Sequence, residues 1–306
     1  MRAARVHKFG NIADVAIDNI LEPVPSVDQV LVRVASAALN PIDYKVALTG
    51  HRGARTLPLT LGFDAVGTIE AIGSDVTSVS IGDRVCLMTD IMEPGTAADL
   101  VLAREHNLAK VPIEMPDPIA AGLPLAGLTA LQGWSLAGIE EGQSVLVHGG
   151  SGGVGHLAIQ LAKLRGATVY ATSSRRNLDL LDDLGADHPI DYQATPPARF
   201  IGSVDVVLDT QGGAVAAATL RAMKPGATLV SIVGFQPEEA EARADVRIER
   251  MLVEPRADEL ATLVGLVADH RLRVIVHDTT PLDRFVDALQ ALHAGHTAGK
   301  RIIAVA

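Results

Sequence analysis

Six residues, Gly150-Ser151-Gly152-Gly153-Val154-Gly155, carry the spacing G-x-G-x-x-G. They follow an apolar run, SVLVH, and open a stretch in which Val154, Leu157, Ala158, Leu161 and Ala162 share one helical face. The early glycines permit a tight turn and let backbone approach a pyrophosphate closely, and Gly155 lets the following helix pack on a sheet. The helix start adds unpaired N–H donors and a partial positive charge, which favour phosphate. A lone match would be no more than a glycine-rich turn. Here ATVYATS follows as a second strand, so the motif sits in a βαβ frame and reads as a dinucleotide site.

About twenty residues past the glycines, a site for NAD places Asp or Glu to accept hydrogen bonds from the ribose hydroxyls. This sequence has Thr172, Ser173, Ser174, Arg175 and Arg176 there, and no acid before Asp179. A carboxylate would repel a 2′-phosphate, whereas serine hydroxyls and a guanidinium bind one through charge-assisted hydrogen bonds. The expected cofactor is therefore NADPH, with one or both arginines on its phosphate. The alternative is that Arg175 and Arg176 are solvated residues at a helix start.

Other reactive side chains are sparse. Cys86 is the sole cysteine, so it forms no internal disulfide and reads as a small core residue. His293 and His296 lie three apart at a helix end and read as exposed, and Trp134 as core packing. With a nicotinamide carrying the hydride, the protein has to orient it, exclude water and polarise the acceptor oxygen. An electron-poor alkene or a quinone suits that equipment.

The elements that must position these residues change character along the chain. Up to about residue 118 the sequence is β-rich: QVLVRVA alternates, and Gly73-Ser74 and Gly82-Asp83 punctuate β-branched runs, as in a compact irregular barrel. The proline-dense VPIEMPDP marks a boundary. Then RNLDLLDDLG, VDVVLDT, AVAAATLRAMKPG and ATLVSIVG continue the alternation of strand and helix, which implies a doubly wound parallel sheet. The segment TPLDRFVDALQALHAG predicts a last helix with Thr280 as N-cap and Gly295 as its stop, and KRIIAVA a strand returning to the first domain. The expected division is 1–118, 119–255 and 256–306.

Composition narrows the partners. The 306 residues carry 26 Lys plus Arg against 36 Asp plus Glu, a formal charge of −10 that disfavours nucleic acid and anionic membranes. No apolar core follows the basic N-terminus, and the uncharged 118–139 is broken by Pro124 and several glycines, so neither a signal peptide nor a membrane span is expected. A cytoplasmic location follows.

In order along the chain, LNPIDYK, LGFDAVGTIEAIGSDV, IGDRV, PLAGLTALQGW, HGGSGGVGHLAIQLAK, LGAD, VDVVLDTQGG and GKRIIAV resemble the zinc-independent medium-chain dehydrogenase/reductases of the quinone oxidoreductase (zeta-crystallin-like) group. The resemblance covers nearly the whole sequence. It implies an α/β protein with a GroES-like β-barrel domain and a Rossmann domain inserted into it, a cleft between them, and a homodimer or homotetramer. It also implies that Asn40 and Asp43 line the cleft beside the nicotinamide, with Tyr44 and Lys45 near the acceptor. Thr129 would face the nicotinamide end, Val233, Gly234 and Phe235 would form the loop after the last sheet strand, and Ser173, Ser174, Arg176 and Tyr192 would surround the 2′-phosphate.

Zinc-dependent relatives carry Cys near the position of Asn40 and a Gly-His-Glu run where Gly62-Phe63-Asp64 stands, so no metal is expected. The implied activity is NADPH-dependent hydride transfer to a quinone or an α,β-unsaturated carbonyl. Reduction of an enoyl thioester and non-catalytic NADPH binding, in a structural or redox-sensing role, are the alternatives.

Overall fold

Alternating side chains build the first part of the chain and βα repeats the second. The computed structural model describes residues 1–50, 56–90, 92–195, 199–233 and 243–305. It divides into two compact units, Met1–Leu128 with Glu254–Ala306 as unit 1, and Thr129–Val253 as unit 2.

Unit 1 opens with β1 (Arg2–Val6), β2 (Val15–Asn19) and β3 (Gln29–Ala38), followed by α1 (Pro41–Thr49) and the short β4 (Leu59–Thr60). The strands β5 (Asp64–Ile72), β6 (Arg84–Met88), β7 (Leu100–Arg104) and β8 (Leu108–Lys110) come next, then α2 (Asp117–Ala121). β3 alternates core and surface along part of its length and pairs antiparallel with both β5 and β7. Helix α3 (Pro124–Ala137) carries the chain from unit 1 into unit 2. Trp134 on it is fully buried, and its Nε1 donates to the Ala158 carbonyl at 2.9 Å, so it is a packing residue.

Unit 2 runs β9 (Ser144–Val147), α4 (Gly155–Leu164), β10 (Thr168–Ser173), α5 (Leu178–Asp183) and β11 (His188–Asp191). It then crosses to β12 (Val206–Asp209), α6 (Gly213–Ala222), β13 (Thr228–Ser231) and β14 (Arg247–Arg250). The sheet order is β11-β10-β9-β12-β13-β14, with every pairing parallel. Strands covered on both faces need continuous apolar runs, and β12 and β13 are buried at all four positions. The strand order reverses at β9, and the crevice at the carboxyl ends of β9 and its neighbours is where such sheets take ligands.

The chain then returns to unit 1 with α7 (Ala257–Ala268), β15 (Val276–Pro281), α8 (Phe285–His293) and β16 (Lys300–Ala304). β16 pairs parallel with β15 and antiparallel with β3, giving the order β15-β16-β3-β5-β6-β8, while β1, β2 and β4 form a separate three-stranded sheet. Phe285, Leu289 and Ile303 enter the same apolar cluster as Val32, Val34 and Ile69. Each such burial contributes about 1.5–3 kcal/mol, which is what holds the last fifty or so residues to the first hundred. Thr280 does not cap the last helix. It is drawn into β15 opposite Ile303, and a 3-10 turn, Leu282–Arg284, precedes α8. Gly295, with φ +84°, follows the end of α8 as expected.

At Gly67 of β5, against the neighbouring β3, only a glycine fits. A Cβ on Gly67 would lie 2.0 Å from the Arg33 carbonyl oxygen. Gly67→Ala is expected to destabilise unit 1 by about 2 kcal/mol or more, because the obstacle is backbone and cannot rotate away. A urea unfolding midpoint unchanged by the substitution would contradict that packing.

Candidate functional site

In unit 2 the site grows from the end of β9. Gly149 has φ +64°, a conformation that costs an L-residue with a side chain, and it turns the chain away from the sheet. Thr172 at the end of β10 holds this turn twice: its carbonyl accepts from Gly150 N at 2.8 Å and its hydroxyl from Gly149 N at 3.2 Å. Gly152 N donates to Gly149 O at 2.9 Å, closing the turn. At Gly155, the first residue of α4, an added Cβ would come within 2.2 Å of Gly149 O, so any other residue would force the turn and helix apart. Gly153 and Val154 are half-buried at the head of the helix, and Val154 is its N-cap.

Beside the turn lies a cluster of hydroxyls. Ser151 Oγ and Ser173 Oγ are 2.7 Å apart, and Asn177 Nδ2 donates to Ser151 Oγ at 3.0 Å and to the Oγ atoms of Ser173 and Ser174 at 3.4 Å. Ser174 and Asn177 are half-buried, while Arg175 and Arg176 between them are exposed. Asn177 was not among the expected site residues, yet its amide is what gathers the three serines. Tyr192 is 55% exposed and tied by its N–H to Ser173 O at 3.2 Å. Asp191, the carboxylate on the neighbouring strand, accepts from Gln193 N at 3.0 Å. Thr129 is buried on α3, and Val233 is 40% exposed just beyond β13, which is not the last strand of the sheet as expected, because β14 follows it and pairs with it. Gly234 and Phe235 lie outside the described residues.

A buried network beneath this turn has no counterpart among the motifs of the sequence. His148 sits between two threonines, Nδ1 3.2 Å from Thr172 Oγ1 and Nε2 2.9 Å from Thr219 Oγ1. Burial pushes its pKa down, and the Asp209 carboxylate opposes that shift. Asp209 itself is buried and accepts from Gln211 N, Gly212 N and Ser231 Oγ.

Unit 1 holds the other expected residues. Asn40 is 3% exposed and Asp43 is fully buried. Asp43 accepts from Asn40 N at 2.7 Å and from Gly62 N at 3.0 Å, which anchors the first turn of α1. Asn40 Nδ2 donates to Asp64 Oδ2 at 2.8 Å, and its Oδ1 accepts from Lys300 Nζ. Lys300, 2% exposed, also donates to Asp64 at 3.2 Å, and Asp64 accepts from Leu125 N at 2.7 Å. Both ends of the Asn40 amide are thus committed inside unit 1. Burial raises the pKa of Asp43 to about 7 and also raises that of Asp64, which Lys300 counters. Tyr44 and Lys45 are half-buried on α1. Burial pushes the Tyr44 hydroxyl upward, so it stays protonated at neutral pH, and its ring lies 4.8 Å from that of the exposed His293.

Comparison with known proteins covers the whole chain. A family model described as an alcohol dehydrogenase GroES-like domain matches residues 26–113, and one described as zinc-binding dehydrogenase matches 184–303. A 2-methylene-furan-3-one reductase of Solanum lycopersicum is 33% identical over 99% of this chain and 79% of its own. An NADPH-dependent alkenal/one oxidoreductase of Arabidopsis thaliana chloroplasts is 31% identical over the same shares. The structure of a quinone oxidoreductase from Coxiella burnetii superposes with a TM-score of 0.94 at 34% identity, covering 100% of this chain and 99% of that one.

The name of the second model raises zinc, and the side chains do not fit it. Lys300 already supplies the positive charge beside Asn40 and Asp64. Cys86 is buried with its thiol pushed up to about 12 by desolvation. Among the described residues, no group of three or more His, Cys, Asp or Glu could hold a metal ion. Among them, too, no helix is long and apolar enough to cross a membrane.

The Asp43 pKa has a consequence for stability. Its folded value, about 7, lies above the ~3.9 of an unfolded aspartate, so the folded chain holds a proton that the unfolded chain releases in that window. The stability that Asp43 contributes is full below ~4 and falls as pH rises through about 7. Asp43→Asn is expected to flatten this decline in urea midpoints measured between about pH 5 and pH 8. Equal slopes in the two proteins would refute it.

Proposed function

The chain belongs to the medium-chain dehydrogenase/reductase family, in its quinone oxidoreductase-like group, and on that premise we propose that it is an NADPH-dependent reductase of quinones or α,β-unsaturated carbonyls. The observation that carries the cofactor choice is the hydroxyl cluster of Ser151, Ser173 and Ser174, gathered by Asn177 at the end of a strand that bears no carboxylate.

The turn and the head of α4 suit a pyrophosphate, since Gly149 and Gly155 leave no side chain in the way. A 2′-phosphate would take hydrogen bonds from the serines and Asn177 and charge from Arg175 or Arg176, with Tyr192 alongside. Thr129 is assigned to the nicotinamide end, and Val233, Gly234 and Phe235 to a cofactor-binding loop. Bound there, NADPH would supply a hydride to the β-carbon of an enone or to a quinone, and the acceptor oxygen would gain negative charge and then a proton from water.

On the acceptor side, the residues with donors to offer are Tyr44, whose hydroxyl burial keeps protonated, and the Lys45 ammonium. A donor held at the acceptor oxygen stabilises charge as it develops there. Asn40 and Asp43 act indirectly, because their polar atoms already bond within unit 1 and fix the start of α1. The names of the relatives, which speak of quinone, alkenal/one and methylene-furanone, support an electron-poor acceptor.

Oxidation of NADPH and NADH should be followed against 1,4-quinones, alkenals, enones and an enoyl-CoA. NADPH is expected to be preferred at least tenfold, a difference of about 1.4 kcal/mol, and Asn177→Asp to erase that preference by placing a carboxylate among the serines. Tyr44→Phe is expected to lower kcat/KM for the acceptor and leave NADPH affinity unchanged. Equal use of both cofactors by the unaltered protein would remove the phosphate assignment, and binding of NADPH with no turnover of any acceptor would favour a non-catalytic role.

A further inference from the structure

Directionality fixes the protons of the network beneath the glycine turn. The Thr219 hydroxyl donates to the Val215 carbonyl at 2.8 Å, so toward His148 it can only accept, and Nε2 must carry the imidazole hydrogen. The neutral ring then presents a lone pair at Nδ1, which accepts from the Thr172 hydroxyl. The oxygen of that hydroxyl is left to accept from Gly149 N. The result is a one-way chain: Gly149 N–H to Thr172, Thr172 to His148, His148 to Thr219, Thr219 to Val215.

The chain spans the point where the strand order reverses. Thr172 is the penultimate residue of β10 on one side of β9, and Thr219 lies on α6, which follows β12 on the other. His148 N donates to Leu208 O of β12 at 3.1 Å, and the Thr210 hydroxyl donates to His148 O at 2.7 Å, so the backbone of His148 is held from the β12 side as well. The charged group acting on the ring from the β12 side is Asp209. The threonines of β10 and α6 are neutral.

We infer that His148 is a positioning residue for dinucleotide binding: as the neutral Nε2–H tautomer it holds the Thr172 hydroxyl toward Gly149 and so fixes the glycine turn. The dinucleotide part of this inference rests on the proposed function; the hydrogen-bond chain does not. A protonated ring would donate at Nδ1 and take away the acceptor of the Thr172 hydroxyl hydrogen, so the hydroxyl would no longer be oriented by the ring as it accepts from Gly149 N.

The test uses the full-length protein. With histidine rings labelled by 15N, His148 is expected as the Nε2–H tautomer, with its protonation displaced below the ordinary ~6.5. An Nδ1–H ring, or uptake of a proton near the ordinary ~6.5, overturns the inference. Thr172→Val and His148→Leu are expected to speed amide exchange at Gly149 and Gly150 and to weaken NADPH binding at least tenfold, while Thr172→Ser, which keeps the hydroxyl, restores both. Folded Thr172→Val that binds NADPH within twofold of the unaltered protein, with unchanged exchange at Gly149, also overturns it. If the unaltered protein binds neither NADPH nor NADH, the dinucleotide reading fails, and the ring tautomer and Gly149 exchange still decide whether His148 holds the turn.

Discussion

Unit 1 depends on placing an ammonium ion where water cannot reach it. Lys300 and Asp64 are 2% and 0% exposed at the side-chain level, and neither charge could be kept in such a place without the other. The pair joins residues 236 apart in the chain, so β16 and the start of β5, which flank β3 on either side, have to come together at the same end of the sheet. The Asn40 amide bonds to both charges, and Asp43, which accepts from Asn40 N, anchors the first turn of α1. One buried charge pair thereby sets the register of β16 against β3 and the direction in which Tyr44 and Lys45 leave the helix.

Unit 2 meets a different constraint. A parallel sheet has no hairpins to hold its strand ends, and the loops at its carboxyl edge are fixed by side chains reaching across from neighbouring strands. Thr172, Asp209 and Ser231 do this by capturing backbone N–H groups or one another. The glycine turn is accordingly held by several hydrogen bonds, although it is made of residues with the greatest intrinsic freedom. Close approach and rigidity are both needed if backbone N–H groups are to meet a phosphate without reordering.

Periodicity made β9, α4, β10, β12 and β13 legible, because strands covered on both faces and an amphipathic helix write their patterns strongly. The edge strands β11 and β14 were not, since HPID and RIER lack apolar runs and are defined only by pairing with a neighbour. Thr280 looked like a cap because its local chemistry suits one, and pairing with Ile303 decided otherwise. The glycine turn and the serines could be read from spacing. Lys300, Asp64 and His148 could not, because a lysine at a strand end, an aspartate after Phe63 and a histidine after an apolar run have no distinguishing neighbours in sequence. Their roles come from partners tens to hundreds of residues away.

The interruption of unit 1 by unit 2 orders events on the ribosome. When Val253 emerges, all strands of the parallel sheet have been made and can assemble, whereas β3 still lacks β16 and Asp64 still lacks its ammonium partner. The portion translated first is therefore the portion completed last. Until the final strand arrives, the nascent chain carries an open edge at the Ser36–Ala38 end of β3 and a carboxylate that must remain hydrated or protonated, and this half-built side is where a chaperone would find its hold.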